Sequence, residues 1–174
     1  MARFVALLRG INVGGHRRLP MADLRRVAEG IGLADVRTYV ASGNLVFASV
    51  KDARTLETLL EEAIAGHFGF AVDVIVRSAA QWQAYVASNP LPDESRAHPH
   101  LVMIAVGKGK PGKAEVDALR ARASPREKVR VAGDAIWFFF GDGAGRSKLG
   151  SAGKGGWTSR NWRTALKLRE MLEE

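Results

Sequence analysis

Apolar residues follow two rhythms along this chain, unbroken short runs and stripes at helical spacing, and the two alternate. The run RFVALLR (3–9) has no polar residue between Phe4 and Leu8, which predicts a strand buried on both faces. After a glycine-rich turn, Pro20 opens a stripe of Met21, Leu24, Val27, Ala28 and Ile31 that predicts a helix ending at Gly30 and Gly32. VRTYVA (36–41) and NLVFAS (44–49) read as two strands of a hairpin turning at Ser42-Gly43. Asp52 caps a second stripe of Leu56, Leu59, Leu60, Ala63, Ile64 and Phe68, closed near Gly66 or Gly69. FAVDVIVR (70–77) supplies a fourth strand.

The resulting order, β-α-β-β-α-β over residues 1–78, is that of a ferredoxin-like plait, an antiparallel four-stranded sheet with both helices on one face. The all-apolar first strand requires a cover on the other face, and the rest of the chain is the natural candidate. Residues 79–174 read α-β-α-β-β-α. Ser78 caps a helix over 79–87, NPLPDE (89–94) is a proline-rich connector and LVMIAVG (101–107) a strand. A helix over 111–123 and a hairpin over 127–140 turning at Gly133-Asp134 follow, and a last helix begins near Ser159. This half resembles a second plait lacking its final strand. The expected fold is therefore α+β, two ferredoxin-like subdomains packed together, the second incomplete.

Charge changes the picture only for the second half. Residues 1–78 hold 10 basic and 8 acidic residues (net +2), while 79–174 hold 16 and 10 (net +6), of the chain's total of +8. Between Gly143 and Arg169 stand Arg146, Lys148, Lys154, Arg160, Arg163, Lys167 and Arg169 with no carboxylate, and seven of the sixteen residues 141–156 are glycine. Such a balance suits an anionic partner. With no cysteine, disulfides, thiolate nucleophiles and cysteine-bound metals are excluded. That absence, and the lack of a signal-peptide core or a membrane-length apolar run, fits a cytoplasmic protein with no membrane partner.

Three motifs carry a resemblance: LLRGINVGG (7–15), YVASGNLVF (39–47) and TSRNWRT (158–164). In this order they are similar to the uncharacterised bacterial family called domain of unknown function 1697, over essentially the whole chain. The resemblance implies an α+β protein of two plait-like subdomains and no known activity.

Candidate binding residues gather in three places. The turn after the first strand has the G-x-x-x-x-G spacing of a phosphate loop at Gly10 and Gly15, but His16-Arg17 replace its lysine and hydroxyl, so it is no Walker motif. It is either an anion nest of main-chain N–H groups, with Arg9, Asn12, Gly14 and Gly15, or a tight turn whose Asn12 bonds the local backbone. Ser42 and Asn44 form a hairpin turn, and the topology puts Asn44 at the same sheet edge as Arg9. In the tail, Thr158 or Ser159 would cap the last helix while Arg160 and Arg163 fall in its first turn, where the dipole favours carboxylates. An anion held there with Asn161, or a carboxylate of the protein paired with Arg160, would resolve that conflict, and Trp162 reads as core. Arg146 and Lys148 lie on the glycine-rich loop. His98 and His100 lack a third ligand, so neither a metal nor a cofactor is expected. The expected function is binding of a phosphate- or carboxylate-bearing small molecule at polar turns between the subdomains. The alternative is electrostatic nucleic-acid binding by the basic half, although GNLVFAS lacks the aromatic signature of an RNA-recognition strand.

Overall fold

The unbroken run at the N-terminus becomes the interior strand of the first of two sheets. In a computed structural model, which describes residues 1–149 and 156–174, the chain divides into two units, Met1–Trp82 with Leu168–Glu174, and Gln83–Lys167. Lys154 and the glycines at 150, 153 and 155 lie outside the described residues.

The first unit contains β1 (Ala2–Leu8), α1 (Met21–Gly30), β2 (Ala34–Tyr39), β3 (Asn44–Ser49), α2 (Ala53–Phe68) and β4 (Val74–Ser78). Its sheet is antiparallel throughout, in the order β2-β3-β1-β4, which is the expected plait. Phe4, Ala6 and Leu8 of β1 pack with Leu45 and Phe47 of β3 under Leu24 and Ala28 of α1 and Leu56, Leu60 and Ile64 of α2. On the opposite face Val5, Leu7, Val46 and Ile75 are at most 1% exposed. An amphipathic strand alternates, and β1 does not because both of its faces are removed from water.

Caps appear where short polar side chains precede the apolar stripes. Asp52 accepts from the Thr55 amide (3.0 Å) and hydroxyl (2.7 Å), and Gly69 closes α2 at φ 79°. Ser78 and Gln81 form a reciprocal box at the start of α3 (Ala79–Ala87), the Gln81 amide donating to Ser78 Oγ and the Ser78 amide to Gln81 Oε1. Two glutamates of α2 reach sideways instead. Glu57 accepts from the Val76 amide at 2.9 Å and Glu61 from the Val74 amide at 3.0 Å, so outward N–H groups of the edge strand β4 are bonded by a helix.

Two boundaries differ from the sequence pattern. The hairpin turn holds four residues, Val40 to Gly43, because Tyr39 pairs with Asn44. Val40 looks like strand on composition, but it sits at φ 50° and is 46% exposed. The strand predicted from Phe70 begins at Val74, and Phe70 lies instead beneath the Arg17 guanidinium, 5.5 Å from ring centroid to Cζ.

The second unit contains α4 (Pro92–Ala97), β5 (Val102–Val106), α5 (Lys113–Arg122), β6 (Glu127–Ala132), β7 (Ala135–Phe140) and β8 (Thr158–Asn161), before α6 (Trp162–Glu173), whose last residues group with the first unit. The proline-rich connector thus includes a short helix. The strand order β6-β7-β5-β8 repeats that of the first sheet. Thr158–Asn161, expected to begin a helix, is the fourth strand, pairing with β5 through Ile104 and Arg160. It escapes a search for apolar runs because its four residues are polar and only Thr158 and Arg160 point inward. Among the described residues the unit has its fourth strand but no second plait helix, and the connection from β7 to β8 carries one 3-10 turn, Ala144–Arg146, where the first unit has α2. Ile136, Phe138 and Phe140 of β7 form this unit's core with Val129, Val116, Leu149 and Trp157.

Gly43 and Gly133 both have positive φ but differ in space. A Cβ at Gly43 would lie 2.6 Å from Ile11 Cδ1 and 2.9 Å from Leu8 Cβ, whereas one at Gly133 would meet nothing within 4 Å. Gly43→Ala therefore loses about 3 kcal/mol from strain and overpacking together, and Gly133→Ala about 1 kcal/mol, read as shifts in urea midpoint. In the second unit Lys128 on β6 bonds Glu94 on α4, and that bond holds the Glu94 carboxyl below its ordinary value of 4.5. A carboxylate stabilised in the folded state contributes fully above its unfolded pKa and loses the contribution as pH falls through the folded one. The stability difference between wild type and Lys128→Met is therefore expected to shrink as pH is lowered below about 4.5, followed by urea unfolding across an acid series.

Candidate functional site

The turn after β1 is anchored on both sides before it leaves the sheet. The Leu8 amide donates to Gly43 O (2.9 Å) and the Arg9 amide to Asp73 O (3.0 Å). Beyond this point residues 12–17 form a small finger. The Asn12 amide donates to Arg17 O and the His16 amide to Val13 O, with Gly14 and Gly15 at the tip at φ 59° and 74°, the paired positive values that a two-residue hairpin turn needs. Asn12 holds the base: its Nδ2 donates to Leu19 O (2.9 Å) and Ala41 O (2.8 Å), and its Oδ1 accepts from the Leu19 amide (2.8 Å). Both N–H donors of the side chain and one lone pair of its Oδ1 are thus committed to backbone. Arg9 Nη1 lies 3.5 Å from Asp73 Oδ2, and Arg17 bonds Ala71 O.

The topology brings the second predicted turn to the same sheet edge, since Asn44 pairs with Leu7 and the Asn12 bond to Ala41 ties the two turns together. Asn44 is completely buried, its Nδ2 donating to Tyr39 O (2.8 Å) and Ser42 Oγ (3.1 Å). Arg9, Asn12, Ser42 and Asn44 are therefore together, with Gly14 and Gly15 projecting from them. Their polar atoms shape two turns.

The tail residues are placed differently from the expectation. Arg160 lies on β8, in register with Ile104 and through it with Trp137, so it precedes the first turn of α6. Its Nη1 donates to Thr158 Oγ1 and to Ser159 O, each at 2.8 Å, and burial pushes its pKa down to about 10, still protonated at neutral pH. The cap of α6 is Asn161, whose Oδ1 accepts from the Thr164 amide at 3.0 Å, in place of Thr158 or Ser159. Of the two arginines assigned to that first turn, Arg163 alone stands in it. Trp162 is half-buried, 5.8 Å from Trp137 between ring centroids.

Arg146 and Lys148 line a cavity of about 470 Å³ within the second unit. Arg122 at the end of α5 adds a third cation, Ser124 a hydroxyl, and Glu127 and Asp142 two carboxylates. Hairpin geometry creates this site: Glu127 pairs with Phe140, which sets the residues entering β6 beside those leaving β7. Gly141 seals the approach, its amide bonding Arg126 O at 3.0 Å where a Cβ would stand 2.2 Å from that oxygen. Both carboxylates are engaged. Glu127 accepts from the Ser124 amide (2.9 Å) and the Ser147 hydroxyl, and Asp142 pairs with Arg126 at 3.2 Å. The side chains of Arg122, Arg146 and Lys148 have no ion pair or hydrogen bond among the described residues. Arg122, Ser124, Glu127 and Asp142 went unforeseen, although the register counted from Gly133-Asp134 already opposes Glu127 to Phe140.

Two antiparallel sheets of identical strand order define a tandem α/β-plait protein. The chain belongs to the family described as protein of unknown function DUF1697, which matches residues 1–137. A conserved bacterial protein, SP0830 from Streptococcus pneumoniae, has the same fold: TM-score 0.81 at 24% identity, covering 98% of each chain. No curated relative matches. Among the described residues, no helix is long and apolar enough to cross a membrane.

The finger's dependence on one side chain is directly measurable. Asn12→Ala removes three hydrogen bonds to backbone and is expected to cost about 2 kcal/mol. Hydrogen exchange at the Leu19 amide, whose acceptor is lost, should quicken more than at the strand amides of β1, while Asn12→Asp retains that acceptor and protects Leu19 better than alanine does.

Proposed function

We propose that the protein binds a small molecule bearing a phosphate or carboxylate group in the cavity of its second unit. The observation that carries this reading is the asymmetry of the lining: three cations without a partner among the described residues share the cavity with two carboxylates already bonded. Like charges gathered around one aqueous space repel, and an anion between them replaces that repulsion with charge-assisted hydrogen bonds. Exposed pairs contribute at most about 1 kcal/mol each, so three cations and a few hydrogen bonds support a Kd on the order of 1 mM for a simple anion. Glycine-rich backbone around Gly143 gives Arg146 and Lys148 close access to the same space. The reading includes a cytoplasmic setting, consistent with a cysteine-free chain.

Electrostatic nucleic-acid binding by the basic half is the lesser reading. Charge supports it, but no Phe, Tyr or Trp among the described residues is exposed, so a stacking platform for bases is missing there.

Isothermal titration with inorganic phosphate is expected to give millimolar binding by the wild type. It should be weakened at least about fivefold in Arg146→Ala and in Lys148→Ala, each with an unchanged melting temperature. Equal binding by wild type and both variants overturns the assignment, as does the absence of any heat up to tens of millimolar phosphate. Micromolar binding of a labelled single-stranded RNA with steep salt dependence would favour the second reading.

A further inference from the structure

The chemistry of the same cavity narrows its ligand further. Among the described residues its lining contains Ala123 and Gly143 as the non-polar residues, and no aromatic or branched aliphatic side chain. A nucleobase needs a ring or an apolar wall to stack against, and an acyl chain needs a greasy slot, and the cavity has neither. At about 470 Å³ it is also far roomier than one tetrahedral anion requires, and it falls in the range of sites for whole organic ligands. The part of the ligand that is not the anion must therefore be polar itself.

The lining indicates its hydrogen-bonding sense. Glu127 and Asp142 each carry four acceptor lone pairs, and the bonds to the Ser124 amide, the Ser147 hydroxyl and Arg126 leave several of them open. A carboxylate beside an anion site repels the anion, so it is useful only to a ligand that also brings donors. Hydroxyl groups are such donors, and the Ser124 hydroxyl, which has no partner among the described residues, can donate or accept. Cations for the charged end and carboxylates for the hydroxyls match a sugar or polyol phosphate.

We infer that the cavity takes a hydroxyl-rich phosphate, with Arg122, Arg146 and Lys148 on the phosphate and Asp142 and Glu127 accepting from hydroxyls. This rests on the anion-binding reading above, and the experiment separates the two. Inorganic phosphate, ribose 5-phosphate, glucose 6-phosphate, glycerol 3-phosphate and AMP are titrated into wild type and Asp142→Asn. At least one of the three polyol phosphates is expected to bind the wild type about tenfold more tightly than inorganic phosphate, with AMP, which keeps two ribose hydroxyls but adds a base that has nothing to stack on, weaker than the best of them. Asp142→Asn removes a negative charge from the cavity and half of an exposed ion pair, so it should leave folding intact and bind inorganic phosphate slightly more tightly. The polyol advantage should fall to about twofold or less in that variant, because the amide is the weaker acceptor.

If inorganic phosphate binds and none of the three polyol phosphates exceeds it, the ligand class is wrong while the anion site stands. AMP binding more tightly than all three overturns the inference in favour of a nucleotide. An undiminished polyol advantage in Asp142→Asn removes Asp142 from the role assigned to it and overturns the proposed division of the cavity. Absence of binding by every probe defeats both readings.

Discussion

A strand with neighbours on both edges and no water on either face has to be apolar at every position, and β1 sets that condition for the first unit. Leaving such a strand, the backbone still needs partners, and the amides of Leu8 and Arg9 find them in Gly43 O and Asp73 O, one on each flank. The first of these contacts brings the chain so near the turn before β3 that a methyl group at Gly43 would overlap Ile11 and Leu8. The finger at residues 12–17 and the turn at 40–43 follow from this anchoring. Three non-glycine residues in these two turns, Asn12, Arg17 and Val40, have φ near +50°. Each such residue costs on the order of 1 kcal/mol, and the Asn12 side chain, with its three backbone bonds, offsets part of that cost.

The two units reach the same strand order by different means. In the first, both crossovers are helical, and α2 also closes the margin of the sheet. In the second, the return from β7 to β8 passes through a glycine-rich stretch, and the wall that a helix would have supplied is absent among the described residues. The cavity lined by Arg122, Arg146 and Lys148 lies beside that return. A helix here would need apolar side chains facing the sheet, whereas glycines and cations leave the space polar and reachable.

Legibility in the sequence tracked how local the signal was. The β-α-β-β-α-β order could be read because each element carries its own period, and Asp52 adds a cap that marks the start of α2. The shared edge of Arg9 and Asn44 could be read from topology, since adjacent antiparallel strands oppose their ends. Thr158–Asn161 could not, because its burial depends on pairing with β5 and leaves no apolar run. Arg160 goes with it onto the strand, and Asn161 takes the cap expected of Thr158 or Ser159. Val40 shows the opposite failure, a β-branched residue whose composition says strand while the geometry around Gly43 demands a left-handed turn. For the cavity, the two cations on the glycine loop were visible in sequence. Arg122, Ser124, Glu127 and Asp142 join them through the hairpin register.

Glu57 and Glu61 occupy, from within the same chain, the amide positions by which a foreign strand would extend the first sheet past Val74 and Val76. An invading segment would have to displace two carboxylates fixed on a helix before forming its first bonds there. Crowded conditions that drive β-rich proteins into ladder-like polymers therefore meet a closed margin on that side, guarded by residues that also serve the protein's own packing.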